Sequence, residues 1–334
     1  MAASLPERTK RARLTTIVLA AMLVLLLASQ GSVLALVSSP GPTLAQDTDG
    51  ITVHCVNVFF PDPRLSSCQD QHPTIQLAVN HAESGESVLV GAGTYPEQVV
   101  ITRPLTLEGA GAAATMIKPV AVFANTSSLF SGFPIAAIVL VDGASGVAVT
   151  DLTVDGSVAG ASLTSCSPGF VGLFYRASSG LVDSTRVTSI KQPSALGCQA
   201  VLGIFVQSAN GGPDLNSNVT LTGNTVDDYG KNGITANEPG TFVTVTGNTV
   251  TGRGPTVLGD AAQNGVQIGF GARGLVSGNA ISANYYTPPD FVACGLLFFR
   301  AGGGLGRTRT NTYLLNEQDT CTAGVGPSSN SPFN

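Results

Sequence analysis

The sequence predicts an all-β solenoid in which short parallel strands stack in successive coils. A composition poor in charge and an internal repeat of the length found in solenoids carry this prediction. Charged residues make up 11% of the 334 residues and hydrophobic residues 43%, with 40 glycines and no tryptophan. A disordered chain carries more charge and less apolar surface. The composition therefore indicates a folded chain of short strands and many turns.

A glycine followed by an apolar residue recurs six times at nearly constant spacing. These glycines are Gly172, Gly203, Gly233, Gly265, Gly295 and Gly324. A second phrase, an apolar strand followed by Gly-Asn, places Asn224, Asn248 and Asn279 at equivalent turns, with Asn311 as a further copy. Each period then holds three strands that are too short to be stable alone and bury one core by stacking.

Stacking predicts columns of like residues inside the solenoid. One column is Val154, Val187, Val226, Val250 and Ile281, and the other is Leu173, Ile204, Ile234, Val266 and Leu296. Ahead of the coils, residues 74–83 place Ile75, Ala78, Val79 and Ala82 at helical spacing. This segment is predicted to form a short N-terminal capping helix that covers the open end of the core.

The repeat resembles that of the pectin-lyase-like superfamily, which includes pectate lyases and polygalacturonases. The resemblance covers residues 73–326 and implies one right-handed parallel β-helix domain over that range. It also implies that Asn224, Asn248 and Asn279 lie at the turn between the second and third strands, where side-chain amides can bond along the stack.

The N-terminus has the pattern of an export signal. Basic residues within 8–13 precede an apolar run from Leu14 to Ala28. This run is shorter than the roughly 20 residues that a membrane span needs. We therefore predict a signal peptide over 1–45, cleaved after Ala35 or Ala45, and a secreted protein. Residues 46–72 are interpreted as a lead-in segment and 327–334 as a frayed tail.

Export to an oxidising compartment favours disulfides among the six cysteines. The alternative, a four-ligand zinc site, would join Cys55 and Cys68 to His54 and His72. Stacking brings equivalent loops of neighbouring coils together, so the predicted pairs are Cys166–Cys198, Cys294–Cys321 and, by elimination, Cys55–Cys68. No metal or other cofactor is predicted, and the sequence gives Ca²⁺ no support.

Charge and motifs restrict the partners. Without residues 1–45 the chain has 12 Lys and Arg against 20 Asp and Glu, a net charge of −8, which argues against nucleic acid and disfavours polyanionic sugars. The segment Gly109–Ala114 matches a dinucleotide loop only superficially, because no acidic residue follows before Asp142 and Lys118-Pro119 would interrupt the helix. It is interpreted as a coil corner, and the protein is expected to be a monomer without a nucleotide site.

The resemblance implies that a substrate lies across the outward face of the strand after each repeat glycine. Strand alternation predicts the outward row Phe174, Arg176, Phe205, Gln207, Thr235, Asn237, Gln267, Leu297 and Phe299. Aromatic faces and amides suit sugar rings and hydroxyls. Alternatively, the loops 156–171 and 208–218 cover Phe174 and Phe205 with no ligand involved.

The catalytic patterns of the resembled family are not matched. The outward positions hold no Asp or Glu, and all three histidines precede residue 82. Asp227, Asp228, Lys231 and Arg253 are the remaining catalytic candidates, with solvated turn residues as the alternative. We expect a protein that binds extracellular polysaccharide or a surface glycan. A divergent lyase, hydrolase or epimerase and a purely structural or adhesion module stay open as alternatives.

Overall fold

The computed structural model describes residues 52–193, 196–208, 216–302 and 310–323. The predicted signal peptide (1–45), both cleavage positions and the tail (327–334) lie outside the described residues. Within them the chain winds through three sheets, here called A, B and C, and each coil between Glu86 and Phe299 passes through the sheets in that order.

The strands of the three sheets follow in chain order. Sheet A contains Val53–Val56, Asp70–His72, Glu86–Val90, Leu105–Glu108, Ser145–Thr150, Ser179–Asp183, Ser217–Thr222, Thr241–Thr246 and Arg273–Ser277. Sheet B contains Gly93–Tyr95, Thr115–Ile117, Thr153–Asp155, Arg186–Thr188, Thr225–Asp227, Thr249–Thr256, Ala280–Tyr286 and Thr312–Leu314. Sheet C contains Val99–Ile101, Pro134–Asp142, Gly169–Arg176, Val201–Gln207, Asn232–Asn237, Asn264–Gly269, Cys294–Phe299 and Gln318–Ala323. The short strand Thr126–Ser127 pairs antiparallel with Pro134–Asp142 outside this order.

Strands that are neighbours within these three lists pair in parallel, except that Val53–Val56 lies between Asp70–His72 and Glu86–Val90 and pairs with both. The register confirms both predicted core columns. In sheet B, Val154 pairs with Val187, and the column continues through Val226 to Ile281. In sheet C the column that begins at Leu173 continues in the same way. All of these side chains are buried in one core. The predicted right-handed parallel β-helix is therefore the fold of the chain.

The repeat glycines occupy positions where the backbones of successive coils come close. A Cβ atom on Gly203 would lie 2.5 Å from the carbonyl oxygen of Gly233, and one on Gly172 would lie 2.7 Å from the carbonyl oxygen of Gly203. Real Cβ contacts are not this short, and a backbone atom inside a sheet cannot move aside. The regular glycine spacing is thus a steric requirement of the stack.

The predicted asparagine ladder is present at the corner between sheets A and B. The Asn248 Oδ1 atom accepts hydrogen bonds from Asn224, and the Asn279 Oδ1 atom accepts them from Asn248. Asn311 extends the ladder by bonding Asn279 in the same way. The side chains of Asn224, Asn248 and Asn279 are buried, so these bonds satisfy groups that water does not reach.

The predicted capping helix is Ile75–His81. Its N-cap residue Thr74 accepts a hydrogen bond from the Leu77 backbone, and the Glu97 carboxylate accepts two more from the first turn. Two short helices were not predicted, the 3₁₀ helix Pro63–Ser67 and the α-helix Ser157–Ser162. No helix in the described ranges is long and apolar enough to cross a membrane.

The three predicted disulfides are confirmed. The Cα–Cα distances are 5.7 Å for Cys55–Cys68, 5.2 Å for Cys166–Cys198 and 6.0 Å for Cys294–Cys321. The four-ligand zinc alternative is wrong, because the sulfur atoms of Cys55 and Cys68 are bonded to each other.

Candidate functional site

The apolar part of the predicted ligand row is buried on the outer face of sheet C. The rings of Phe174 and Phe205 stack with their centroids 4.6 Å apart, and neither side chain is exposed. They form a second apolar cluster with neighbours that include Ile135, Leu140 and Leu202. Strand alternation thus placed these rings on the correct face, but that face is covered.

A segment that precedes the strand Pro134–Asp142 crosses this face. The Gln207 side chain accepts a hydrogen bond from the Leu129 backbone at 2.9 Å and donates one to Ser128 Oγ at 3.1 Å. The Arg176 guanidinium donates to the Ser127 carbonyl at 2.9 Å. This segment is not one of the two loops considered from the sequence, of which residues 209–215 lie outside the described residues.

Arg176 also has an acidic partner that the sequence reasoning missed. Its Nη1 atom lies 2.8 Å from the Asp142 carboxylate, which occupies the paired position on the neighbouring strand. The outward positions considered from the sequence did not include this coil. The strand Pro134–Asp142 lacks the Gly-apolar phrase, so the repeat did not identify it.

The polar side chains of the row on two neighbouring strands bond to one another and to Asn232. Asn232 Nδ2 donates to Gln267 Oε1 and to Thr235 Oγ1, each at 3.1 Å, and Gln267 Nε2 donates to Asn237 Oδ1 at 3.1 Å. All four side chains are buried, and Asn237 Nδ2 has no hydrogen-bond partner among the described residues. Burial raises the pKa of the adjacent Glu238 to about 7. A ligand-binding role for this row stays a prediction.

The adjacent acids among the catalytic candidates form ion pairs between coils. The Asp227 carboxylate is bidentate to Arg186 at 2.8 and 3.1 Å. The Asp228 carboxylate accepts from Lys191 Nζ at 2.7 Å and from Ser189 Oγ at 3.0 Å. Both acids are thus used in contacts with the preceding coil.

The two basic catalytic candidates, Lys231 and Arg253, form hydrogen bonds with different groups. Lys231 is buried and donates to the Ala262 carbonyl at 2.6 Å, and burial lowers the pKa of its amine to about 7. Arg253 donates to the Tyr229 carbonyl at 3.1 Å and to Asp260 at 3.3 Å. These contacts lead from each candidate to a different group and do not unite the four in one site, so their catalytic role stays a prediction.

An open groove of about 840 Å³ lies at the corner between sheets A and B in the first coils. Its first wall is the lead-in segment, and its second wall consists of successive coil corners. The lining residues are Asn57, Phe59, Phe60, Pro61, Asp62, Pro63, Arg64, Ala92, Glu108, Gly109, Ala110, Gly111, Ala114 and Asp151.

Two adjacent aromatic residues project from the lead-in wall. Phe59 is 61% exposed and Phe60 is 90% exposed. Exposed apolar surface that is rimmed by polar residues is typical of ligand-binding grooves. The sequence reasoning missed them because it searched the repeats, and the lead-in segment has none.

Arg64 fastens the lead-in wall to the coils. Its guanidinium donates to the Gly109 carbonyl at 2.7 Å and to the Val90 carbonyl at 3.0 Å, and it pairs with Asp62 at 2.8 Å. The hydrogen bonds to Arg64 hold the pKa of the Asp62 carboxyl below its usual range, despite some desolvation. The aromatic pair is therefore carried on a wall that is fixed to the first two coils.

The coil wall contributes two carboxylates. The Glu108 side chain is 37% exposed and lies 3.5 Å from Arg64 Nη1. Asp151 has a φ of +56° and stands at the corner position that Gly223 and Gly247 occupy in later coils. Asp tolerates this left-handed conformation better than most residues, so a carboxylate can stand where a turn usually requires glycine.

No family model matches the chain, and no curated protein matches it. Among solved structures, a GH136 lacto-N-biosidase from Eubacterium ramulus superposes with a TM-score of 0.50 at 10% identity, covering 80% of this chain and 56% of that one. A pectin methylesterase from carrot gives 0.40 at 12% identity, with 84% and 91% covered. An alginate lyase from Paenibacillus sp. gives 0.36 at 13% identity, with 73% and 96% covered. The protein is a right-handed parallel β-helix, a fold that it shares with the lacto-N-biosidase.

Proposed function

We propose that this protein is exported and binds a neutral polysaccharide or surface glycan in the groove between the lead-in segment and the first coil corners. The observation that carries the proposal is the pair of exposed rings, Phe59 and Phe60, beside the carboxylates of Glu108 and Asp151. Aromatic faces bind the apolar faces of sugar rings, and carboxylates accept hydrogen bonds from sugar hydroxyls.

Charge favours a neutral ligand over an acidic one. Asp62, Glu108 and Asp151 line the groove, and the guanidinium of Arg64 in its lining is bound by Asp62 and two carbonyls. A polyanionic sugar would meet three carboxylates with no uncommitted cation among the described lining residues. The net charge of −8 on the chain without residues 1–45 also disfavours an acidic ligand.

Export is supported by the disulfides together with the predicted signal peptide. Three disulfides join all six cysteines, which is typical of proteins that fold in an oxidising compartment. The likeness to a lacto-N-biosidase concerns the fold alone, and the choice of ligand therefore rests on the groove.

A second candidate function is cleavage of the bound glycan. Glu108 and Asp151 line the same groove, and carboxylate pairs serve as acid and base in glycoside hydrolysis. A divergent lyase, hydrolase or epimerase therefore remains the alternative. A purely structural or adhesion module is the third possibility, and it requires no ligand in the groove.

The test is a glycan-array screen of the secreted protein and of the double variant Phe59→Ala/Phe60→Ala. We expect binding to neutral glycans that falls at least about tenfold in the variant, since lost stacking on two rings removes more than about 1.4 kcal/mol. Phe242→Ala, at a residue 41% exposed on a strand outside the groove, is the matched control and should bind normally.

Product analysis on any glycan that binds separates the alternatives. Products that disappear in Glu108→Gln and Asp151→Asn, while binding is retained, would favour the enzyme. If the wild type and Phe59→Ala/Phe60→Ala bind the same glycan equally well, the groove is not the binding site. A protein that binds no glycan on the array would contradict the proposal and favour the structural module.

A further inference from the structure

All three histidines of the chain meet at its N-terminal cap, outside the groove. His54 lies on the first strand of sheet A, and His72 lies on the edge strand that pairs with it in parallel. The ring centroids of these two residues are 5.1 Å apart, and the His81 ring lies 4.8 Å beyond that of His72. The register also brings Asp70 opposite His54.

Three potential ligand atoms converge on one point. His54 Nδ1 lies 2.9 Å from His72 Nε2, His72 Nε2 lies 3.2 Å from Asp70 Oδ2, and His54 Nδ1 lies 3.8 Å from Asp70 Oδ2. With these separations, the point that is equally far from all three atoms lies about 2 Å from each of them. Zinc forms bonds of this length with imidazole nitrogen and carboxylate oxygen.

Glu86 fixes the orientation of the first histidine. Its Oε2 atom lies 3.0 Å from His54 Nε2, and its carboxylate also accepts hydrogen bonds from the Glu83 and Thr52 backbones. A carboxylate accepts hydrogen bonds, so this contact favours the tautomer of His54 that carries its proton on Nε2. The lone pair of Nδ1 then lies on the side of His72 Nε2 and Asp70, as expected where a carboxylate orients a metal-binding histidine.

The cap holds these groups in place before any ion binds. The Cys55–Cys68 disulfide joins the first strand to a residue two positions before Asp70. His54 is 5% exposed and His72 is 9% exposed, so their rings have little freedom. The Asp70 side chain is 53% exposed, which opens the point to solvent on one side. An ion could enter there and complete its coordination with water.

We propose that His54, Asp70 and His72 form a binding site for a divalent transition-metal ion, zinc in the first place. Two imidazole nitrogens and one carboxylate are a ligand set of zinc, whereas Ca²⁺ and Mg²⁺ prefer oxygen ligands throughout. The ion joins two strands of the cap and binds the folded chain, so it stabilises the N-terminal end of the β-helix. Glu86 is a positioning residue that acts through His54.

The test uses the secreted protein stripped with EDTA. Titration with Zn²⁺ should show one site by calorimetry and raise Tm by several degrees, and EDTA should reverse the rise. Asp70→Asn changes a side chain that is 53% exposed, so the variant should fold as the wild type does and should bind Zn²⁺ at least tenfold more weakly. His72→Ala should abolish it, as measured by metal content after dialysis.

His81→Ala is the matched control. Its ring packs against that of His72 at a tilt of 31°, but His81 Nδ1 contacts the Leu77 carbonyl at 2.8 Å and is not among the converging atoms. Zn²⁺ affinity should be unchanged in this variant. The proposal is overturned if the wild type binds no Zn²⁺, if Asp70→Asn and His72→Ala bind as the wild type does, or if Ca²⁺ raises Tm as much as Zn²⁺.

Discussion

The side-chain oxygen of Asn248 accepts two hydrogen bonds from Asn224, one from its backbone N–H and one from its side-chain amide, each 2.9 Å long. Asn248 in turn donates to the Leu221 carbonyl and to Asn279 Oδ1, both at 2.9 Å. Each asparagine therefore closes the corner of the coil before it and is held by the coil after it.

Asn248→Ala should lower the free energy of unfolding by about 2–4 kcal/mol, because the change leaves buried polar groups of Asn224 and Leu221 without partners, at about 1–3 kcal/mol for each unsatisfied group. Urea denaturation followed by circular dichroism measures the difference. Thr244→Ala, at a half-buried position of the same coil, is the control and should change stability by less than about 1 kcal/mol. If Asn248→Ala and Thr244→Ala lower the free energy of unfolding equally, the asparagine ladder contributes no more to stability than an ordinary half-buried side chain.

Phe174→Ala tests whether the outer face of sheet C is core or binding surface. The Phe174 ring is fully buried against Phe205, so truncation should lower the free energy of unfolding by about 3–5 kcal/mol. Glycan binding per folded molecule should not change. Phe242→Ala, at an exposed residue, provides the comparison for stability. Lost binding in a variant that is still folded would restore the predicted ligand row as the site.

Glu238 should make stability depend on pH near neutrality. Burial raises the pKa of its carboxyl from 4.5 to about 7, although a hydrogen bond with Gln207 acts against the shift. Between these values the folded chain holds a proton that the unfolded chain has released. The free energy of unfolding therefore contains a contribution that is complete below pH 4.5 and is lost as pH rises through about 7.

The measurement is the urea midpoint of the wild type and of Glu238→Gln at several pH values across that window. The wild type should lose up to about 3 kcal/mol relative to the variant as pH rises, because each pKa unit corresponds to about 1.36 kcal/mol. Glu83→Gln, at an exposed position, should follow the wild type. A constant difference between the wild type and Glu238→Gln across the window would contradict the raised pKa.

The repeat could be predicted because one physical constraint recurs in every coil. Gly203 must lack a Cβ atom for the same reason as Gly172, since the carbonyl of the next coil occupies that space. Asn248 and Asn279 recur because each corner has the same buried backbone groups to satisfy. The Cys166–Cys198 disulfide followed from the same logic, because its two loops lie one coil apart. Cys294 and Cys321 also lie one coil apart, but in paired strands of sheet C, where the register places Cys321 opposite Leu297.

The groove and the histidine cluster could not be predicted from the repeat, because each is formed by contacts that occur once in the described residues. Arg64 bonds the Gly109 carbonyl across 45 residues of sequence, and no pattern in the lead-in segment indicates that contact. His54 was considered with the neighbouring cysteines, whereas the parallel register pairs it with Asp70. The strand Pro134–Asp142 and the segment that crosses sheet C were missed for a related reason, since neither carries the repeat phrase.

The columns of like residues have a consequence for how such a chain can change in length. The stretch of chain from Gly233 to Gly265 brings the backbone to an equivalent position one level along the axis. Tandem duplication or loss of such a unit would present the same interior to both neighbours, so size can vary without a new core. The N-terminal cap has no counterpart among the described coils, and the disulfide-bonded cap with its histidines therefore belongs to the part of the molecule that cannot be copied or dropped in this way.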